Sequence, residues 1–180
     1  NLLLCGRFDD VKQLLGELDA SYGYMFDGAI SLLRGDDDIA LASFDEGLKL
    51  RRRETGKRKA IFSGLSGHLY VLGLLKSGQP AHLKQAETYL EIATKGVHTH
   101  DTPVYQQLSM LRQIRAGTVD PEVLPTRAWE YQMQPIMFRA LLHWWLGAPQ
   151  LGERQSLIAQ AFDAASGAGF DFLAAQLGAV

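Results

Sequence analysis

The sequence is poor in the residues that form covalent or metal crosslinks. Cys5 is the single cysteine among 180 residues, so no disulfide can close within the chain and no thiolate zinc site can form. Cys5 also stands beside the apolar run Leu2–Leu4, which favours an inert buried thiol over an activated nucleophile. A chain that needs no disulfide suits the cytoplasm, which is the location we expect.

Long apolar runs and a large net charge are also missing. Charged residues or glycine interrupt every apolar stretch before it reaches the length that crosses a bilayer, so no membrane partner is expected. The net charge is −2, and any electrostatic role must therefore be local. A hydrophobic content of 47% predicts a folded chain. We expect a single helical-repeat domain over residues 1–180. Because the sequence begins inside an apolar run without Met, we also expect a fragment of a larger protein.

Strand signals are nearly absent, whereas helical periodicity is strong. Met25, Ala29 and Leu32 recur at intervals of four and three residues, which places them on one face of a helix. The sequence predicts an all-α fold of about nine or ten helices, each antiparallel to its neighbours. The other helices that we can delimit follow apolar positions within the ranges 11–18, 40–48, 61–72, 83–93, 104–114, 135–146, 151–166 and 170–177.

The stretch LLRGDDDIALASFDEGL, Leu32–Leu48, predicts a corner between two helices. Gly35 is expected to end the first helix, because glycine readily takes a positive φ. The three aspartates at 36–38 begin the second helix, where one can cap and the others favour the helix dipole. A metal-binding acidic run is the alternative, but adjacent carboxylates on a helix point in different directions. We therefore favour capping.

Small and large side chains alternate along two of the expected helices. Ala40, Phe44 and Gly47 lie on one face, and the helix over 83–93 repeats the pattern with Ala86, Leu90 and Ala93. Such stripes let helices approach closely. The helix over 61–72 is apolar on more than one face, so it needs neighbours on both sides, as in stacked repeats. A compact bundle would also bury such a helix.

The segment from Tyr24 to Leu48 resembles a tetratricopeptide repeat, a pair of antiparallel helices. The matching positions are Tyr24, Gly28, Gly35, Ala40, Phe44 and Gly47, and Ala86, Leu90 and Ala93 are similar to the second helix of a following unit. The resemblance implies a right-handed α-solenoid. It further implies a non-catalytic module, without a cofactor, that contacts a protein partner or neighbouring domains of its own chain.

A second resemblance covers Thr55–Gly78, which is similar to helical segments ahead of the motor in large bacterial Swi/Snf-type helicases. It rests on the Gly-Lys-Arg-Lys element and on the Gly-Leu-x-Gly turn at Gly64 to Gly67. This resemblance implies an accessory element of a DNA-dependent ATPase. The motor is not in this sequence, because Gly56-Lys57 lacks the upstream glycine and the following Ser or Thr of a phosphate loop.

The strongest local charge feature is Lys49–Lys59, which we call the basic segment. It contains one acidic residue, Glu54, and seven basic residues: Lys49, Arg51, Arg52, Arg53, Lys57, Arg58 and Lys59. One interpretation is a solvated helix end followed by a loop. The other is a surface that contacts nucleic acid phosphates or an acidic partner. No aromatic residue is interleaved, so base stacking is not indicated.

The remaining candidate residues are histidines and tryptophans. His98, His100 and Asp101 could offer metal ligands, but the sequence does not indicate which other residue would complete the site. We therefore expect a polar turn and no metal site. Trp144 and Trp145 are adjacent on an expected helix. They either fill the core or, if Trp145 is exposed, contact a partner. No catalytic motif is present, and an enzyme with an unrecognised pocket is the remaining alternative.

Overall fold

The computed structural model describes residues 2–15, 19–62, 64–96, 108–109, 112 and 154–178. Seven α-helices can be delimited in this part of the chain, residues 108–109 and 112 are also helical, and no described residue is in a β-strand, which confirms the all-α class. The helices are α1 Phe8–Leu14, α2 Ala20–Arg34, α3 Asp37–Thr55, α4 Gly64–Ser77, α5 Pro80–Gly96, α6 Arg154–Gly167 and α7 Asp171–Gly178. The expected helix over 135–146 lies outside the described residues, as does most of the one over 104–114. The total of nine or ten helices therefore stays a prediction.

The chain divides into two compact units. The first joins Asn1–Phe8 to Val119–Val180, and the second is Asp9–Thr118. The helices α2 to α5 belong to the second unit, and the pair α6–α7 belongs to the first. The single domain expected over residues 1–180 stays a prediction.

The first unit holds its N-terminal turn against the α6–α7 hairpin. Leu173 donates its backbone N–H to the carbonyl of Leu4 at 3.1 Å, and the Phe8 and Phe172 rings meet edge to face with centroids 5.1 Å apart. The predicted final helix pair is confirmed. Cys5, expected to be buried, is only half-buried, because it lies in the turn at the surface, where its Sγ is 3.5 Å from the Gly169 carbonyl oxygen.

The predicted corner between α2 and α3 is confirmed at Gly35. The φ of Gly35 is 90°. Its N–H donates to the Leu32 carbonyl oxygen, and the N–H of Asp36 donates to the Ser31 carbonyl oxygen. The capping prediction is half right. Asp36 occupies the capping position, but its side chain makes no capping hydrogen bond. Asp37 is instead paired with Lys76 of α4 at 2.8 Å.

The α2–α3 hairpin is closed by a glycine facing an aromatic ring. A Cβ on Gly28 would lie 2.8 Å from Phe44 Cγ, so the ring occupies the space that any other residue would need. Phe44 is fully buried, and Ala40 is equally inaccessible to solvent. Gly47 brings α3 close to the α2 backbone, since its Cβ would lie 3.1 Å from the Ser21 carbonyl oxygen. The small-large-small stripe therefore packs as the sequence predicts.

Helix α4 packs against both helices of that hairpin. Every residue from Ser66 to Leu75 is buried, which confirms a helix that is apolar on more than one face. Gly73 allows the close approach, because its Cβ would lie 3.2 Å from Leu41 of α3 and 3.3 Å from Leu32 of α2. The predicted start at Ile61 is wrong. The helix begins at Gly64, whose φ of 66° turns the chain from the connecting segment.

The remaining helices follow the predicted stripes with one exception. In α5, which starts at Pro80, the side chains of Ala86, Leu90 and Ala93 are buried. In α1, Val11 is buried as expected, but Leu14 keeps 66% of its surface exposed. Leu14 is the last residue of this seven-residue helix, so it lies at the helix end rather than along a covered face.

Candidate interaction surface

The basic segment forms the C-terminal part of α3 and the turn that follows it. Helix α3 ends at Thr55, and Gly56 takes a φ of 64°, which redirects the chain into Lys57–Lys59. Thr55 fixes this turn: its hydroxyl donates to the Arg51 carbonyl at 2.6 Å and accepts from the Lys57 backbone N–H at 3.3 Å. All residues from 52 to 59 are exposed.

The single acid of the basic segment is directed toward α2. The Glu54 carboxylate accepts hydrogen bonds from both the backbone N–H and the hydroxyl of Ser21, the second residue of α2. Asp19, in the capping position of α2, makes no side-chain capping bond. A carboxylate from α3 therefore pairs the Ser21 N–H at the positive dipole end of α2. The carboxylate keeps its negative charge, so the basic segment, with seven basic residues and one acid, has a net charge of +6.

The first two basic residues of the basic segment, Lys49 and Arg51, each contact another side chain. The Arg51 guanidinium carbon lies 4.8 Å from the centroid of the Tyr22 ring, a cation–π contact between α3 and α2. Lys49 pairs with Glu46 at 2.9 Å. A hydrogen bond from Lys49 and its charge lower the pKa of the exposed Glu46 carboxyl. The cations beyond Arg51 form the outer, solvent-facing part of the surface.

A hydrogen-bonded polar triad joins the helices α3, α4 and α5. The Tyr70 hydroxyl of α4 donates to Asp45 Oδ1 of α3 at 2.7 Å. Gln85 of α5 donates to the same carboxylate oxygen at 2.8 Å and also to the Tyr70 hydroxyl. Burial, followed by the hydrogen bond to Asp45 and its negative charge, raises the pKa of Tyr70 well above its ordinary value. The triad satisfies its polar groups internally and specifies how the three helices meet.

A second tyrosine anchors the chain between α3 and α4. The Tyr89 hydroxyl donates to the Phe62 carbonyl at 2.9 Å and accepts from the Phe62 backbone N–H at 2.8 Å. Both backbone groups of an irregular buried segment are thereby paired. The Phe62 ring lies 6.3 Å from the Phe44 ring, centroid to centroid. The segment that leaves the basic turn is thus fixed to the hairpin core.

Other predicted site residues stand apart from this surface or lie outside the described part of the chain. Tyr24, expected to pack between helices, keeps 42% of its surface exposed. The alternatives for His98, His100 and Trp145 concern residues outside the described ranges. Within those ranges, no group of three or more His, Cys, Asp and Glu side chains could hold a metal ion, and no helix has the length and apolar content of a membrane span.

Three contacts of the site are not foreseen by sequence reasoning: Ser21 with Glu54, Tyr22 with Arg51, and the triad around Tyr70. The first pair is separated by 33 residues and the triad by up to 40. Each requires the register between helices, which periodicity alone does not give. The antiparallel pairing of α2 and α3 could have suggested that the start of α2 meets the end of α3, where Ser21 and Glu54 lie.

Comparison with known proteins identifies no relative of this chain. No protein-family model, no curated protein and no solved structure matches it.

Proposed function

We propose that the chain is a non-catalytic, tetratricopeptide-like module that makes protein–protein or interdomain contacts, with its helix pairs stacked as an α-solenoid. The observation that carries the proposal is the α2–α3 hairpin, in which Phe44 fills the space left by Gly28. Gly28 and Phe44 are two of the positions at which the chain resembles the repeat, and their contact lies between the two helices that the resemblance pairs.

The placement of α4 supports a stacked arrangement. In a stack of repeats, each unit buries apolar surface against the unit before it, and a helix that follows a hairpin and contacts both of its helices fits that arrangement. Helix α4 does this through Gly73, which lies close to Leu32 of α2 and Leu41 of α3. Helix α5 then returns beside α4, joined to it by the Gln85–Tyr70 hydrogen bond.

Exposed apolar side chains on the hairpin support a contact surface. Tyr24 of α2 and Ile39 of α3 keep 42% and 62% of their surfaces exposed, although each stands in a helix whose other large apolar residues are largely covered. Aromatic residues are enriched at the centres of protein interfaces. We therefore expect a protein partner to contact Tyr24 and Ile39.

Site-specific photocrosslinking tests this function in cells that naturally express the chain. A photoreactive amino acid replaces Tyr24 or Ile39, and the matched control replaces Thr88, an exposed residue of α5. We expect a discrete protein adduct from position 24 or 39 and none from 88. The adduct protein, once purified, should bind Tyr24→Ala or Ile39→Ala at least about tenfold more weakly, a loss of roughly 1.4 kcal/mol.

Stability controls separate a lost contact from a lost fold. Tyr24→Ala keeps the Cβ that lies near Gly47, so its unfolding free energy should change by no more than about 0.5 kcal/mol. Equal adduct yields from all three positions would contradict the proposal. So would unchanged affinity of the purified partner for both alanine variants.

A further inference from the structure

The basic segment has more exposed positive charge than the stability of its helix requires. Cations near a helix C-terminus favour the helix dipole, but the effect falls off within the last turn. Arg52 and Arg53 lie in the last turn of α3, whereas Lys57, Arg58 and Lys59 follow the turn at Gly56 and lie beyond the helix. Helix-dipole stabilisation therefore accounts for part of the cluster only.

The charge is also segregated from the rest of the molecule. The segment holds seven of the 18 basic residues of the chain but one of its 20 acidic residues. That acid, Glu54, is bound by Ser21 of α2. A segment with a net charge of +6 thus lies in a chain whose net charge is −2. Such a surface attracts a polyanion and orients it.

We propose that the exposed cations Arg52, Arg53, Lys57, Arg58 and Lys59 bind the phosphate backbone of duplex nucleic acid without reading its sequence. Arg52 and Arg53 are adjacent on α3 and therefore project about 100° apart around its axis, and the other three cations follow in the exposed turn beyond Gly56. Contacts with a phosphate backbone require such cations and release counterions from the duplex. The inference goes beyond the proposed function and uses different residues.

The composition of the surface favours a duplex over two other polyanions. Protein interfaces have apolar or aromatic side chains at their centres and few charges there, but residues 52–59 include no large apolar side chain. Single strands are bound largely through stacking on aromatic rings. The Tyr22 ring, which lies near this part of α3, is covered by the Arg51 guanidinium. A duplex backbone requires neither feature.

Fluorescence anisotropy of a short, labelled, mixed-sequence DNA duplex, measured over a series of salt concentrations with the 180-residue chain, tests this inference. The variant is Lys57→Glu with Arg58→Glu. The matched control is Lys84→Glu with Lys95→Glu, which makes the same change in net charge on exposed positions of α5. Circular dichroism melting verifies that both variants fold like the wild type.

We expect the wild type to bind at low salt, with equal affinity for a second duplex of unrelated sequence. Reversal at 57 and 58 should weaken binding at least about tenfold and reduce the slope of log affinity against log salt by about two. The control should bind within about twofold of the wild type.

No binding at low salt would overturn the proposal, as would equal weakening by the control. Tighter binding of a polyglutamate peptide than of the duplex would assign the surface to an acidic protein partner instead.

Discussion

At the scale of single residues, the hairpin depends on the absence of a side chain at Gly28. A methyl group there would lie 2.8 Å from Phe44 Cγ, and Phe44 has no room to move because it is fully buried between Phe62 and Tyr70. We therefore predict that Gly28→Ala lowers the unfolding free energy by about 1–3 kcal/mol through overpacking. Equilibrium unfolding in urea measures the change.

Gly23 of the same helix provides the matched control. A Cβ at this position meets nothing within 4 Å, so Gly23→Ala gains helix propensity without a clash. It should raise the unfolding free energy by up to about 1 kcal/mol. A stabilising Gly28→Ala would show that the ring can shift, and the close contact would then not constrain the hairpin.

Tyr70 predicts how stability responds to alkaline pH. Its pKa is raised in the folded state by burial and by Asp45, so the folded protein holds the phenolic proton more tightly than the unfolded chain does. The stabilisation is complete below the unfolded pKa of about 10 and is lost as pH rises above that value. The unfolding free energy should therefore fall by up to about 1.4 kcal/mol for each pH unit above 10.

The variant Tyr70→Phe isolates this effect from the other titrating groups. It should cost about 1–3 kcal/mol at neutral pH, because Asp45 and Gln85 lose their shared partner, and it should show a shallower fall in stability above pH 10. Equal alkaline slopes for Tyr70→Phe and the wild type would rule out Tyr70 as the source.

At the scale of helices, the N-terminus of α2 depends on α3. Ser21 donates its backbone N–H and its hydroxyl to Glu54, which does from another helix what a capping side chain does locally. We predict that Glu54→Ala and Ser21→Ala each destabilise the protein by about 0.5–2 kcal/mol. In the double mutant the effects should be less than additive, because the two side chains act on one interaction.

A double-mutant cycle in urea measures this coupling. Glu46→Ala, which removes the carboxylate paired with exposed Lys49, is the control and should change stability by no more than about 0.5 kcal/mol. Additive losses would mean that the hydrogen bond between the Ser21 hydroxyl and the Glu54 carboxylate does not stabilise the fold.

The helices themselves could be predicted from sequence wherever glycine and apolar periodicity agree. Gly35 and the stripe of Ala40 and Phe44 give the corner and the buried face of α3. Prediction was wrong where tertiary contacts decide, as at Ile61. There, the neighbouring Phe62 is held outside the helix by the Tyr89 hydroxyl. A hydrogen bond across 27 residues leaves no local trace in sequence.

At the scale of the whole molecule, the basic segment could be located from sequence but its environment could not. Composition identifies the seven cations, whereas their exposure depends on where α3 ends and on the turn that follows it. The cation–π contact of Arg51 with Tyr22 likewise requires the register of two helices. Charge patterning therefore predicts a candidate surface, and packing determines which of its charges are available.

Segregated charge predicts how the whole protein behaves on ion exchangers. At pH 7 the net charge of −2 alone predicts retention on an anion exchanger and none on a cation exchanger. Because binding follows the local electrostatic potential rather than the net charge, we expect retention on both resins at low salt.

Lys57→Glu with Arg58→Glu should abolish retention on the cation exchanger. Lys84→Glu with Lys95→Glu, which has an identical net charge, should still be retained. Identical elution of the two variants would mean that net charge governs binding and that the basic segment does not act as a distinct surface.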